Sequence, residues 1–147
     1  MFRKNFKIGI LTIILYLIGI DGDWVQIGSD INGEAFCDRS GNSVAISADG
    51  NIVAIGAWLN DGMNGKDSGH VRVFRNVDDD WVQVGSDIDG EAAGDNSGIS
   101  VSISADGDVV AIGAYINNGN GGGSGHVRVK LLEIGLDIQF QFLLMAA

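Results

Sequence analysis

The sequence predicts an all-β chain built from two copies of one four-stranded antiparallel unit, placed after an apolar N-terminal segment. Three observations carry this. Trp24–Gly62 and Trp81–Gly119 align without a gap at 27 identities in 39 positions. Apolar and polar residues alternate with the two-residue period of strands, and no stretch after residue 22 keeps a helical period. With 23 glycines and no prolines in 147 residues, glycine alone must make the many turns.

The N-terminus is set apart by composition. Arg3, Lys4 and Lys7 precede an uncharged run from Ile8 to Ile20. As a helix that run rises only about 20 Å, short of the ~30 Å hydrocarbon core of a bilayer. A basic region followed by a short apolar one is the pattern of an export signal. Small residues do not precede Asp21 in a cleavage pattern, so both a cleaved signal peptide and a retained signal anchor stay open. Residues 1–22 are assigned to this segment. The remainder is expected to be secreted or at the cell surface, touching membrane only through residues 8–20 if they are retained.

The first unit, 23–80, opens its strands with "SVAIS" (Ser43–Ser47) and "VAIGA" (Val53–Ala57) around "ADGN". Asp-Gly between two β-branched runs marks a tight hairpin, since Gly50 can take the positive φ such a turn needs. "HVRVF" (His70–Phe74) alternates as a half-buried strand, and "WVQVGSDI" (Trp81–Ile88) supplies a fourth. The second unit, 81–130, repeats the hairpin as "SVSIS", "ADGD" and "VVAIGA", then "HVRV" at His126–Val129. A period near 57 residues suits a four-stranded blade of the β-propeller type. In an up-and-down sheet the connections after strands two and four emerge at one end. Those are the long ones here, Trp58–Gly69 and Asn32–Asn42 with their counterparts Tyr115–Gly125 and Asp89–Ile99. Residues 131–147 begin a third unit with "EIGLDI" and then depart from it. Two blades are too few to close a propeller, which takes roughly four to eight. The expected architecture is therefore an incomplete propeller with open edges.

The stretch Ser40–Trp58, with its copy Ser97–Tyr115, resembles the FG-GAP-like repeat of integrin-α-type β-propellers. Gly41-Asn42-Ser43-Val44 and Gly56-Ala57 match the family pattern, as do Gly98-Ile99-Ser100-Val101 and Gly113-Ala114. The resemblance implies an extracellular recognition module, some blades of which bind calcium. Trp58 and Tyr115 stand where the family has proline. The turns "SADGN" and "SADGD" are too short to surround calcium, which takes six to eight oxygens. Asp49 and Asp106 are accordingly read as turn formers, and no cofactor is assigned.

The charge balance bears on partners. Nineteen acidic against nine basic side chains give a formal charge of −10, which repels nucleic acid and permits cations or basic partners. No nucleophile elbow, paired-cysteine or zinc-helix motif is present, so no catalytic residue is assigned. Cys37 is the only cysteine, and Gly94 holds its place in the second unit. "GNGGGSG" (Gly119–Gly125) lacks the Lys-Ser/Thr ending of a phosphate loop. His70 and His126 recur at one position and read as structural residues bonding a loop backbone; Arg72 and Arg128 are expected to pair with local acids on the strand surface.

Side chains for binding are sought on the long-loop end, because loops on a rigid scaffold carry recognition. Asp38, Asn60, Asp61, Asn64 and Asp67 cluster in the first unit, and Asp95, Asn117 and Asn118 in the second, beside Glu34 and Glu91. These are the candidate ligand-binding residues, with no metal set assigned. The expected function is recognition of protein or carbohydrate without catalysis. The alternatives are a self-associating surface array, hence a homo-oligomer, or an incomplete fragment without its own function.

Overall fold

The computed structural model describes residues 22–132, so the N-terminal segment of residues 1–21 and the third-unit echo from residue 133 lie outside the described residues. Among the described residues every regular element is a strand. The strands are β1 (Ser43–Ile46), β2 (Ile52–Ala57), β3 (His70–Val77), β4 (Asp80–Gln83), β5 (Ile88–Asp89), β6 (Ser100–Ile103), β7 (Val109–Ala114) and β8 (His126–Leu131). The first sheet runs β1-β2-β3-β4 with β5 also on β3, and the second runs β6-β7-β8, all pairs antiparallel.

The turn chemistry follows the sequence. Gly50 and Gly107 take φ of 76° and 81° in the β1–β2 and β6–β7 hairpins. The connection is longer than a two-residue turn: Ser47 N donates to Ile52 O, which leaves Ala48–Asn51 as the loop. The fourth strand is broken. Trp81 to Ile88 is not continuous, because β4 pairs Phe74–Val77, β5 pairs His70 and Val71, and the chain bulges away between them. Among the described residues the matching words in Trp24–Ile31 form no strand.

β3 is also more deeply placed than its alternation predicts. His70–Phe74 is buried on both faces, whereas β8, with the same words, keeps partial exposure throughout. The cause is that the first sheet is covered twice. One face packs Ile52, Ala54, Val71 and Val73 against Val110 and Ile112, with Ile88, Val101 and Ile103 at the margin. The other packs Val53, Ile55 and Phe74 beneath Ile31 and Trp81. The indole fixes this second cover: Trp81 Nε1 donates to Ile27 O at 2.9 Å.

The two sheets meet at glycine. Ser43 Oγ donates to Gly98 O at 2.6 Å, and Ala48 N to Ala105 O at 2.9 Å. A Cβ on Gly98, at φ 86°, would strike His70 O. Its counterpart Gly41 has φ 85° but open space around it. Gly98→Ala should therefore destabilise the fold by about 3 kcal/mol, from backbone strain plus the clash, and Gly41→Ala by only about 1 kcal/mol. Thermal or urea unfolding of the two variants checks the difference.

Candidate binding face

Backbone pairing brings the long loops together at one end of the first sheet. Gly90 N donates to Gly69 O, Gly94 N to Lys66 O, Asn96 N to Asp67 O, and Ser97 N to Ser68 O, all within 3.1 Å. The β2–β3 loop and the β5–β6 loop thus form one surface, as their order in an up-and-down sheet requires.

Within each unit a buried carboxylate ties the loop shut. Asp38 Oδ2 accepts from Ala35 N at 2.8 Å and from Asn60 Nδ2 at 3.0 Å. The second unit repeats this, with Asp95 Oδ2 accepting from Ala92 N and Asn117 Nδ2, both at 2.9 Å. All four side chains are buried.

The remaining candidates sit nearer water. Asp61 Oδ1 accepts from Asp67 N at 2.9 Å, and Asn118 Oδ1 from Gly123 N at 2.7 Å. Asn64 turns toward the neighbouring loop and donates to Gly90 O at 2.7 Å. The structure gathers Asp38, Asn60, Asp61 and Asp67 around one open pocket of about 430 Å³, which Asn64 does not line. Asp95 and Asn117 meet in the second unit, apart from it. The pocket also holds Phe36, Cys37 and Lys66, which sequence reasoning left out. Phe36 is almost wholly exposed and faces Ala93 as its counterpart in the repeat alignment. That mismatch was the available signal.

Below the pocket lies a charged cluster. His70 Nδ1 stands 3.5 Å from Asp87 Oδ2 and 3.9 Å from Glu34 Oε2, and Arg72 Nη1 is 3.6 Å from Glu34 Oε1. Arg72 Nη2 donates to Asn32 O at 2.6 Å, and its guanidinium stacks 5.4 Å from the Phe74 ring centroid. The imidazole therefore addresses carboxylates, not the loop backbone expected of it, and Arg72 is buried, not on the strand surface. Both follow from the cover over β3, which excludes water and leaves these groups only each other. His126, Glu91 and Arg128 repeat the arrangement, and Arg128 Nη1 donates to Asp89 O at 2.6 Å.

One imidazole and two carboxylates within 4.8 Å is a donor set that a divalent metal could use. Arg72 already supplies positive charge to Glu34, however, so the cluster is described more simply as an ion-pair network joining β3 to the loops. Calcium does not fit the hairpin turns. Asp49 accepts from Ser47 Oγ, Asn51 N and Asn51 Nδ2, and Asp106 from Ser104 Oγ and Asp108 N. These carboxylates are engaged by their own turns, as their reading as turn formers anticipates.

The same bonds stabilise the charged carboxylates. The Ser47 hydroxyl and then the Asn51 amide hold the Asp49 pKa down, from 3.8 to about 2, and Ser104 lowers Asp106 in the same way. A depressed folded-state pKa contributes stability that is full above the unfolded value and lost as pH falls through the folded one. The unfolding temperature should accordingly drop between about pH 4 and pH 2, and less steeply in Asp49→Asn, as a pH series of melts will show. Asp38→Ala and Asp95→Ala should each cost about 2 kcal/mol by stranding buried donors, and the double variant about the sum, since the two carboxylates share no hydrogen-bond partner. Chemical denaturation checks both.

Residues 32–74, spanning the first long loop through β3, match the family model described as FG-GAP repeat. No curated protein matches the chain. The second unit carries the same words at 27 of 39 aligned positions. The chain thus carries an FG-GAP-like repeat at residues 32–74, held within an all-β fold.

Proposed function

We propose that the chain is a non-catalytic recognition module of an extracellular or cell-surface protein, binding protein or glycan through the long-loop face of its first unit. FG-GAP repeats occur in extracellular or surface proteins and suggest a binding or adhesion-type module. The basic and apolar N-terminal segment, outside the described residues, supports export.

One observation carries the reading. The two units keep the same buried polar groups and differ in what their loops show to solvent. Asp38, Asn60, His70 and Arg72 recur as Asp95, Asn117, His126 and Arg128. Around the first pocket stand Phe36, Asp61, Lys66 and Asp67, where the second unit has Ala93, Asn118 and a run of glycines. An exposed aromatic ring among charged groups offers a stacking surface for a sugar or an anchor for a protein. Asp38 and Asn60, like Asp95 and Asn117, are already bonded into their own loops, which supports a structural role for these shared groups.

Binding of the full-length chain to glycan and extracellular-protein panels tests this. Phe36→Ala should weaken any ligand found by about tenfold, the loss of one interfacial aromatic anchor. A ligand indifferent to both Phe36→Ala and Lys66→Ala would overturn the assignment of the face, and two empty panels would overturn the function.

A further inference from the structure

The interface between the two sheets is not symmetric. The Val101, Ile103, Val110 and Ile112 face of the second unit lies on the Ile52, Ala54, Val71 and Val73 face of the first. These are opposite faces of the repeating unit: strand pairing sets Val101 opposite Ile112 and Val44 opposite Ile55, but Ala54 opposite Val73. Each chain is therefore left with one face of each kind that no second sheet covers, although Ile31 and Trp81 already shield Val53, Ile55 and Phe74 on that of the first unit.

The exposed positions on these faces correspond to covered positions of the other unit. On the second unit Val127 and Val129 are 68% and 64% exposed, whereas their counterparts Val71 and Val73 are 0% and 6% exposed beneath the other sheet. On the first unit Val44 and Ile46 are 57% and 58% exposed, and their counterparts Val101 and Ile103 pack into the core. The glycines agree. A Cβ at Gly98 or Gly107 would strike the facing sheet, while at Gly41 or Gly50 it would meet nothing.

From this correspondence we propose that a second copy of the chain docks head to tail, its Val44 and Ile46 face on the Val127 and Val129 face, repeating between chains the interface within one. The incoming copy also presents Asp23–Gln26, the same four residues as β4, with Trp24 fully exposed. In the register by which β4 pairs β3, that segment lies alongside β8. Burying each valine is worth about 2 kcal/mol, so the two exposed faces supply a driving force of the kind that holds the chain's own sheets together. Unlike faces that pair head to tail close into a ring or run on as a filament. Blades close at roughly four to eight per ring, so about two to four copies are expected.

Sedimentation velocity of the full-length chain in a mild nonionic detergent tests the proposal, with Val127→Lys and Ile46→Lys as variants. Both positions are exposed, and circular dichroism with thermal melts confirms that each variant folds. The wild type should sediment as a discrete assembly and each variant as a monomer. Mixed one to one, the two monomers should form a dimer of twice the mass and nothing larger, because each supplies the face the other lacks. A wild type that stays monomeric at high concentration would mean that the chain's own residues beyond 132 cover the face, and would overturn the proposal. So would single variants that remain assembled, as association through residues 8–20 would make them, or a mixture that stays monomeric.

Discussion

The packing of Val101, Ile103, Val110 and Ile112 onto Ile52, Ala54, Val71 and Val73 is the contact on which the rest of the structure depends. A lone three- or four-stranded sheet has two faces and one core cannot serve both. Here β2, inside the first sheet, is buried on each side, while its counterpart β7 is fully buried on one. Small residues decide how closely the sheets approach: Ala54, Gly56 and Gly98 bring backbone within reach of the Ser43 hydroxyl. Once that distance is set, the long loops of both units fall at the same end and pair through their backbones.

The second cover over the first sheet has an electrostatic consequence. Ile31 and Trp81 close off Val53, Ile55 and Phe74, and the chain from Asn32 to Glu34 passes over β3. Water is excluded from Arg72 and His70, so their polar atoms must be met by protein. Asn32 O, Glu34 and Asp87 meet them, save for the buried Arg72 Nε, and Phe74 takes the face of the guanidinium. The same residues in the second unit are only partly covered, and there the pairs are made with one acid, Glu91. Identical sequence words thus sit in two environments, and the environment follows from which face has a neighbour.

The loops divide the work between holding and showing. Asp38 and Asp95 are consumed by their own backbone and by Asn60 and Asn117, which ties the irregular segments to themselves. Those ties free positions such as Phe36 and Lys66 to vary without loss of shape. Cys37 and Gly94 make the same point: both take a positive φ, 69° and 80°, where the loop turns, and neither is needed for packing.

Period and turn chemistry are local, and they were legible in the sequence: the two units, the Asp49-Gly50 and Asp106-Gly107 hairpins, the strand order and the shared end of the long loops. Asp38 and Asn60 were legible as loop residues that recur in the second unit, though the sequence could not say whether they faced water or their own loop. What the tertiary structure alone decided was burial. Whether HVRV is half-exposed or enclosed, whether DWVQ pairs as a strand or lies free, and whether His70 meets backbone or carboxylate all depend on which sheet or segment lies across it. Such contacts join residues at irregular separations, up to some sixty positions, and leave no period of their own in the chain. Identical words therefore acquire different roles, because burial belongs to the neighbour across the interface and not to the residue.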